Sequence, residues 1–389
     1  MKVGIEYLLP GGNDTGVEYA IREAVAAVLT SVSPHSFAVF ASERSKPLLP
    51  LRTRAQTSVV TMAYPFRTGR ILWQQAVAPY LAMRHNLDIY HATGYVASPL
   101  FAVPVVISLY DTIALDNPRL TTRSNAMYFS SAVPRGLRRA ARIIVPTTHV
   151  KERLIGLLPE TENQVDVLPL GISPRYHVKS PEEIQACLAR YPRLQERKYI
   201  LAVGNIEHKK NCLGLLRAFY KVREVLGCEY VLAFAGNPGS ASMGLRRYIV
   251  THALQDSVEF LNYVDGLDLP FLYGGAQLLV YPSWDEGFGF PPLEAMACGT
   301  PVICSDVPAV TEVCGDAAYL VDPADIETIA RGMLELLTQP PLAGKLAIRG
   351  QERAIKYSWS TYAKGLLASY DAALVNRRQS AANSNHMAT

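Results

Sequence analysis

Two carboxylates, Glu286 and Glu294, stand eight positions apart on either side of a turn rich in glycine and proline. Gly287 and Gly289 permit a close approach of the backbone to a ligand, because glycine has no β-carbon. An apolar run before the turn predicts a buried parallel strand, and two prolines after it suit the first turn of a helix. The amides of residues 288–290 would then form an anion site at a helix N-terminus. Backbone amides that bind phosphate, together with carboxylates that accept hydrogen bonds from hydroxyl groups, would suit a nucleotide-sugar as the ligand.

A second polar group follows the apolar run 199–203 and precedes a helix-like run. It contains Asn205 and two consecutive lysines, Lys209 and Lys210. Ligands of α/β proteins bind at the carboxyl ends of the strands, so these lysines would lie beside a ligand. They could neutralise a diphosphate leaving group, whose charge grows during transfer. The alternative is two solvated lysines near a helix start, but a helix N-terminus disfavours cations, which favours the functional hypothesis.

Strand-like and helix-like runs alternate along the chain, which predicts a parallel α/β architecture. In the first part the strand-like runs are 2–8, 36–40, 58–61, 88–91, 105–109, 142–145 and 165–168. In the second part they are 199–203, 230–235, 257–261, 277–281, 302–304 and 318–321. Two successive sets of this size predict two Rossmann-like domains that face each other across a cleft.

The domain boundaries follow from changes in composition. A stretch rich in proline, glycine and polar residues marks a joint, so we predict an N-terminal domain over 1–172, a linker over 173–181 and a C-terminal domain over 182–358. An amphipathic helix is predicted over 359–376, and the polar tail 377–389 is expected to be disordered.

Composition excludes several classes of protein. The 389 residues include 49% hydrophobic ones, enough for two cores, but no uninterrupted apolar run long enough to span a membrane. The six cysteines form no CxxC pair and the first residues lack the pattern of a signal peptide, so we expect a reduced cytoplasmic protein.

Residues 1–172 contain 17 Lys and Arg against 12 Asp and Glu. This excess is too weak to predict a nucleic-acid partner, but it suggests a surface that meets anions.

A basic and aromatic surface is a further hypothesis from residue spacing. Four arginines recur at helical spacing, namely Arg135, Arg138, Arg139 and Arg142. A second helix-like segment contains Arg67, Arg70, Trp73 and Tyr80. Together they are candidates for a peripheral contact with an anionic membrane, at the inner face of the plasma membrane. A solvated helix face is the alternative.

The run EGFGFPPLEAMACGTPV, which begins at Glu286, resembles the Glu-x7-Glu motif of the retaining glycosyltransferases of family 4, which have the GT-B fold. In that family the first glutamate and the amides after it contact the donor sugar, and the second glutamate binds the ribose hydroxyls. The resemblance therefore implies a donor site that includes Glu286, Gly287, Phe288, Gly289, Phe290 and Glu294. The segment after residue 202 is similar to the family's phosphate-binding element. Lys210 matches its lysine, Lys209 matches a basic neighbour, and Asn205 stands where some members have arginine.

Three positions in the first part resemble the family more weakly. Gly16 ends a loop similar to the family's first glycine-bearing loop, which approaches the diphosphate, although an ordinary capped turn is the alternative. This loop is not a GxGxxG fingerprint, which argues against NAD. Tyr110 and Asp111 follow a strand that in the family ends in His-Asp, with the histidine near the anomeric carbon. A tyrosine can hydrogen-bond a sugar but does not accept a proton near neutrality. His91, which ends the neighbouring strand, and Asp111 are candidates for contacts with the acceptor or the cleft, and a packing role for His91 is the alternative.

The resemblance implies transfer of a hexose, with retention, from a nucleotide-diphosphate-sugar to a saccharide or lipid-linked acceptor in polysaccharide or glycoconjugate assembly. The candidates for catalysis are Lys210, Glu286 and Tyr110. The chain has no Asp-x-Asp motif, and the family works without a bound metal or other cofactor. Two alternatives remain open: a sugar-nucleotide epimerase, and a non-catalytic partner that binds a nucleotide-sugar.

Overall fold

A computed structural model describes residues 1–9, 15–50, 52–62, 67–117 and 123–387. The chain divides into two compact units. The first unit consists of Met1–Gly171 together with Ser358–Thr389, and the second unit of Ile172–Tyr357.

The first unit is built on a parallel sheet. Its described residues form seven strands: Lys2–Tyr7 (β1), Ser36–Ser42 (β2), Gln56–Met62 (β3), Ile89–Ala92 (β4), Val105–Ser108 (β5), Arg142–Val145 (β6) and Val165–Val167 (β7). The strand order is β3-β2-β1-β4-β5-β6-β7, and neighbouring strands are parallel. The order reverses between β1 and β4, which is the switch point of a Rossmann-like sheet.

The second unit repeats this plan. Its six strands, all within the described part of the chain, are Lys198–Val203 (β8), Tyr230–Ala235 (β9), Val258–Asn262 (β10), Leu278–Tyr281 (β11), Val302–Ser305 (β12) and Tyr319–Val321 (β13). The order is β10-β9-β8-β11-β12-β13 and neighbouring strands are parallel. The switch point here lies between β8 and β11, where crevices for ligands form in such sheets.

Helices connect the strands. In the first unit they are Gly16–Thr30 (α1), Arg67–Leu72 (α2), Ala78–Arg84 (α3), Ile113–Asp116 (α4), Arg123–Leu137 (α5) and Thr148–Leu157 (α6), with a π-helical turn over Trp73–Val77. In the second unit they are Pro181–Leu188 (α7), Pro192–Gln195 (α8), Cys212–Leu226 (α9), Ser242–Thr251 (α10), Leu269–Gly275 (α11), Phe290–Ala297 (α12), Pro308–Cys314 (α13), Ile326–Thr338 (α14) and Pro340–Ala354 (α15). The last helix, Trp359–Met387 (α16), belongs to the first unit and packs against α1.

The local sequence explains why these elements form. All six residues of β9 and all four of β11 are buried, as expected for parallel strands that helices cover on both faces. A capping box begins α1: the Thr15 N–H donates to Glu18 Oε2 at 2.7 Å, and the Glu18 N–H donates to Thr15 Oγ1 at 3.4 Å. Ser180 and Glu183 form the same motif at the start of α7.

The structure confirms the predicted fold class, two Rossmann-like α/β units. Each of the predicted strands is present, with ends displaced by at most two residues. The stretch 173–181, predicted as a linker, lies within the second unit, where Tyr176 is 7% exposed. Helix α16 extends to Met387 and so overlaps the tail 377–389, whose disorder stays a prediction.

The structure does not support the hypothetical membrane surface. Trp73 is 8% exposed, and Arg142 lies at the start of β6, outside the helix that spacing had suggested. Arg138 and Arg142 pair with the carboxylates of Glu160 and Asp166 at 2.6 and 2.7 Å. A helical spacing of arginines therefore did not correspond to one helix face. Among the described residues, no helix combines the length and the apolar character needed to cross a membrane.

Candidate active site

The candidate site lies in the second unit, at the carboxyl ends of β8 and β11. These strands are neighbours in the sheet, with Leu278 paired to Ile200 and Leu279 to Leu201. The loops after them lead to α9 and α12, on either side of the point where the strand order reverses. The predicted polar residues of both loops therefore meet at the position where a doubly wound sheet binds its ligand.

Glycine gives each loop its path. Gly204, directly after β8, has a φ of +131°, and a β-carbon there would lie 3.3 Å from Lys210 Cε. Gly289, directly before α12, has a φ of +104° in the left-handed region. Residues other than glycine rarely adopt such positive φ values. The missing β-carbon at 204 leaves room for Lys210, and the left-handed conformation at 289 lets the backbone turn from the loop into α12.

Lys210 and Glu286 form the centre of the site. Lys210 Nζ donates to Glu286 Oε1 at 2.7 Å and to the hydroxyl of Tyr281 at 2.5 Å. The Tyr281 hydroxyl in turn donates to Glu286 Oε1 at 2.8 Å. Lys209 Nζ lies 3.7 Å from the other carboxylate oxygen, Oε2. Within this group of three charged side chains, two lysines and one carboxylate leave one net positive charge.

The electrostatics of Glu286 suit an ionised carboxylate. The side chain is buried, and burial alone would raise its pKa. The charges of Lys209 and Lys210, with hydrogen bonds from Lys210 and Tyr281, outweigh burial and lower the pKa to about 2. Burial and the neighbouring Glu286 charge raise the pKa of the Tyr281 phenol well above its usual range. At neutral pH the network therefore consists of two ammonium groups, a carboxylate and a neutral phenol.

Glu294 lies one turn inside α12 and is 5% exposed. Its Oε2 accepts a hydrogen bond from the hydroxyl of Tyr273, in α11, at 2.8 Å. Burial raises the pKa of Glu294 to about 7, although hydrogen bonds from Tyr273 and Tyr176 and the charge of Arg175 act in the opposite direction. Glu286 and Glu294 thus have different electrostatic environments, since Glu286 has two cations beside it and Glu294 mainly has phenols.

The turn between the two glutamates has the local structure that the sequence predicts. Helix α12 begins at Phe290, and Gly289 is its N-cap. Phe288 is 5% exposed and packs edge-on against Phe290 and Tyr357, with ring centroids 5.2 and 5.8 Å apart. Aromatic packing therefore fixes the backbone that presents the amides of the helix start. Gly287 lies in the same turn.

Asn205 has a structural partner in the second unit. Its side-chain oxygen accepts a hydrogen bond from the backbone N–H of Asn237 at 3.2 Å. This contact joins the loop after β8 to the loop after β9. The amide group holds the loop in place, and Lys209 and Lys210 are the residues of this segment that supply positive charge near Glu286.

In the first unit, the structure describes the predicted residues as follows. Gly16 is the first residue of α1, behind the Thr15 N-cap, as an ordinary capped turn would have it. Residues 11–14 of the same loop lie outside the described residues. Asp111 accepts hydrogen bonds from the Tyr95 hydroxyl at 3.1 Å and from the Ile113 N–H at 3.1 Å, so its carboxylate is engaged within the unit.

Tyr110 and His91 both lie in the packed interior of the first unit. Tyr110 is 7% exposed, and burial and the nearby Tyr362 raise the pKa of its phenol well above the usual range, although a hydrogen bond from Ser108 opposes them. His91 is 2% exposed, with Nε2 lying 2.9 Å from Ser108 Oγ and Nδ1 lying 2.8 Å from the Tyr370 hydroxyl. Burial lowers the pKa of His91 to about 3. These contacts favour the packing alternative for His91.

The sequence patterns did not predict three tyrosines of the site: Tyr176, Tyr273 and Tyr281. Tyr281 ends the strand before the glycine turn, and its position at a carboxyl end was the one available signal. Tyr176 lies in the predicted linker, and Tyr273 lies in the apolar helix α11, whose sequence carries no signal of a site. Within the described ranges, no group of three His, Cys, Asp or Glu residues is placed to hold a metal ion.

Comparisons with known proteins identify the family of the chain. Residues 188–353 match the family model of the glycosyl transferases group 1, and residues 16–176 match that of glycosyltransferase family 4. O-antigen chain mannosyltransferase B of Escherichia coli is 30% identical over 279 residues, which cover 72% of this chain and 73% of that protein. A D-inositol 3-phosphate glycosyltransferase of Salinispora arenicola is 28% identical over 72% of this chain and 66% of its own length. O-antigen chain mannosyltransferase RfbU of Salmonella typhimurium is 31% identical, over 51% of this chain and 52% of its own.

Solved structures show the same fold. Anabaena Alr3699/HepE in complex with UDP and glucose aligns with a TM-score of 0.75 at 19% identity, over 95% of this chain and 99% of its own. WaaG, a glycosyltransferase involved in lipopolysaccharide biosynthesis, aligns with a TM-score of 0.71 at 17% identity, over 94% and 98% of the two chains. With these sequence and structural matches, the chain belongs to the group 1 glycosyltransferases and has the GT-B fold.

Proposed function

We propose that this protein transfers a hexose, with retention and without a metal ion, from a nucleotide-diphosphate-sugar to a hydroxyl group of a glycan or lipid-linked saccharide. The main support is the junction in the second unit where Lys209, Lys210 and Glu286 meet at the ends of β8 and β11. Two cations beside a carboxylate and a glycine turn can bind a diphosphate and a sugar at once.

Each charged group has a separate task in this proposal. Lys209 and Lys210 bind the diphosphate, Glu286 accepts hydrogen bonds from hydroxyl groups of the donor sugar, and Glu294 accepts them from the ribose. In the free protein Glu286 already compensates the charge of Lys210 at 2.7 Å. A diphosphate oxygen would replace that carboxylate oxygen as the partner of the lysine, so the lysine would remain paired throughout binding.

The chemical step needs stabilisation of a growing negative charge. The bond between the anomeric carbon and the diphosphate oxygen breaks, and the acceptor oxygen bonds to the same face of that carbon. The proton of the acceptor hydroxyl passes to a phosphate oxygen of the leaving group. Lys209 and Lys210 lower the barrier because they attract the leaving diphosphate most strongly when its charge is greatest. No side chain has to act as a nucleophile in this scheme.

The relatives support a proposal for the substrate class. Two of them are O-antigen chain mannosyltransferases, and WaaG takes part in lipopolysaccharide biosynthesis. We therefore propose a hexose donor and a growing surface polysaccharide or its lipid-linked precursor as the acceptor. The epimerase alternative has less support, because the side chains proposed near the sugar in the first unit, His91 and Tyr110, do not titrate near neutrality.

Binding of the donor is tested first, by thermal unfolding with UDP-glucose, GDP-mannose and ADP-glucose in turn. A donor at about 100 times its Kd should add about 2.7 kcal/mol to the free energy of unfolding. The double variant Lys209→Ala/Lys210→Ala should lose this stabilisation. Lys221→Ala is a matched control, since Lys221 is an exposed lysine of the same unit that pairs with Glu327 at 2.7 Å. If none of the three donors stabilises the parent protein, the proposed donor site is wrong.

Turnover is tested with the donor that binds. Release of nucleoside diphosphate is measured with and without saccharide acceptors, and the anomeric configuration of the product is read by NMR. We expect release that depends on the lysine pair and a product with the configuration of the donor. Binding without any release would favour the non-catalytic partner, and an inverted product would contradict retention.

A further inference from the structure

The carboxylate of Glu294 lies against two phenols that come from distant parts of the second unit. Tyr273, in α11, donates its hydroxyl to Glu294 Oε2 at 2.8 Å, and the phenol of Tyr176 forms a second hydrogen bond to the same carboxylate. We propose that Tyr273, with Tyr176 as its second support, is a positioning residue that holds Glu294 in the orientation that receives the ribose hydroxyls of the donor. This inference rests on the proposed function.

Burial explains why Glu294 needs such support. The residues from Pro292 to Met296 are buried, so this part of α12 has little contact with water. A buried carboxylate is strongly destabilising unless hydrogen-bond donors replace its lost water. The phenols supply those donors and also limit the rotation of a side chain that has three torsion angles. Without these phenols, the Glu294 carboxylate would need other hydrogen-bond donors in the protein that has no nucleotide bound.

Tyr273 is itself held rigidly. It is completely buried, and its ring lies edge-on to the ring of Tyr176 with centroids 6.1 Å apart. Its backbone carbonyl accepts a hydrogen bond from Thr300 Oγ1 at 2.6 Å. The hydroxyl therefore has a fixed position, and the carboxylate oxygen that it contacts is fixed with it.

Tyr176 comes from the segment that sequence had assigned to a linker. Arg175 anchors that segment, because its Nη1 donates to the Gly266 carbonyl at 3.4 Å and its Nε donates to Ser173 Oγ at 3.1 Å. The guanidinium also lies over the ring of Tyr176, with Cζ 5.9 Å from the centroid. The segment after Ile172 is thus part of the environment of Glu294.

Two phenols leave acceptor capacity for a ligand. An ionised carboxylate has about four lone-pair positions, and the two tyrosines use two of them. A ribose presents two neighbouring hydroxyl groups, which can donate to the remaining positions. This arrangement requires an ionised Glu294, because a protonated carboxyl group would itself be a donor at one oxygen.

Titration of Glu294 gives a signature that separates positioning from simple packing. The groups that act on its titration are Tyr273, Tyr176, Arg175 and Cys298. Burial raises the pKa of Glu294 to about 7, and the Tyr273 hydrogen bond lowers it. Nucleotide affinity should therefore fall as the pH drops below about 7, and removal of the Tyr273 hydroxyl should move this fall to a higher pH.

The experiment is a calorimetric titration of the full chain with UDP, GDP and ADP between pH 5.5 and 8.5. With the nucleotide that binds the parent best, Tyr273→Phe should reduce affinity about tenfold at pH 7, the effect of losing one hydrogen bond to a charged group. It should also move the midpoint of the pH dependence upward by about one unit. Tyr199→Phe is the matched control, since it removes a buried phenol that donates to the Leu272 carbonyl of the same helix at 2.7 Å. The control should change neither quantity.

Further variants keep the outcome decisive. Tyr176→Phe should shift the pH dependence in the same direction, so the inference remains open to refutation if Tyr273→Phe does not fold. Glu294→Gln should remove the part of the pH dependence that has its midpoint near 7, whereas the terminal phosphate of the nucleotide, which titrates at about pH 6, acts alike on the parent and on every variant. An unchanged pH profile in folded Tyr273→Phe, or an equal shift in Tyr199→Phe, would overturn the inference while the donor site stands. If the parent binds none of the three nucleotides, the proposed function fails and the inference falls with it.

Discussion

Replacing Glu294 with glutamine should stabilise the second unit above neutral pH and weaken nucleotide binding at the same time. Glu294 is 5% exposed, and near it the structure places two phenols and one arginine instead of a close ion pair. Above pH 7 the protein must keep a buried negative charge there when no donor is bound. Glutamine has nearly the same shape and no charge, so the variant avoids this unfavourable burial.

The magnitude follows from the pKa of Glu294, which burial raises from 4.5 to about 7. A carboxyl group with a raised pKa stabilises the folded state fully below pH 4.5, and this contribution is lost as the pH rises through 7. At about 1.4 kcal/mol per pH unit, the loss amounts to about 3 kcal/mol. The glutamine amide needs its own hydrogen-bond partners, so we expect a gain of about 1–3 kcal/mol at pH 8.

The assay must separate the two units. Hydrogen exchange read by mass spectrometry on peptides from β8 and β11 gives the free energy of opening of the second unit. We expect this free energy to fall between pH 5 and pH 8 in the parent protein and to fall less in Glu294→Gln. Calorimetric titration at pH 8 should show weaker nucleotide binding by the same variant.

A matched control lies in the first unit. Glu6 is 4% exposed and accepts hydrogen bonds from Gln74 and Tyr90, and burial raises its pKa to about 7 as well. Glu6→Gln should change the pH dependence of exchange in β1 and β4 and leave that of β8 and β11 unchanged. The reasoning would be refuted if Glu294→Gln retained the full pH dependence of the parent in the second unit.

Three further predictions follow from the same structure. Lys210→Ala should lower kcat more than it raises KM, because the diphosphate charge is greatest in the transition state. Steady-state kinetics measures both constants, and an effect on KM alone would exclude a role of Lys210 in stabilising the leaving group. The pKa of Glu286 is about 2 instead of 4.5, so its carboxylate should contribute about 3 kcal/mol to the free energy of unfolding of the second unit. This contribution should be lost as the pH falls from 4.5 to 2, and acid unfolding curves of Glu286→Gln should not show the loss. Tyr110→Phe should lower the stability of the first unit by about 0.5–1.5 kcal/mol and slow transfer less than tenfold; a folded variant slowed more than about 1,000-fold would point to a chemical role for the phenol.

The sequence by itself was sufficient to predict the two sheets and to place the charged residues of the candidate site at the ends of their strands. Strands buried on both faces have continuous apolar runs, and their alternation with helices is a local pattern that needs no knowledge of distant contacts. The order of the runs then put Lys210 and Glu286 at the ends of two strands of one sheet. The glycine before α12 and the prolines in its first turn were likewise legible as a helix start.

Tertiary structure alone decided which partners these residues have. Tyr176 and Tyr273 are far from Glu294 in the chain, and no pattern in the sequence links a phenol in a proline-rich stretch to a carboxylate in a distant helix. The same holds for His91, whose partner Tyr370 comes from the last helix of the chain. Burial and the identity of the nearest donors set the ionisation of each group, and both depend on long-range packing. Hence the sequence indicated two glutamates of one motif, and the fold gave one of them a pKa near 2 and the other a pKa near 7.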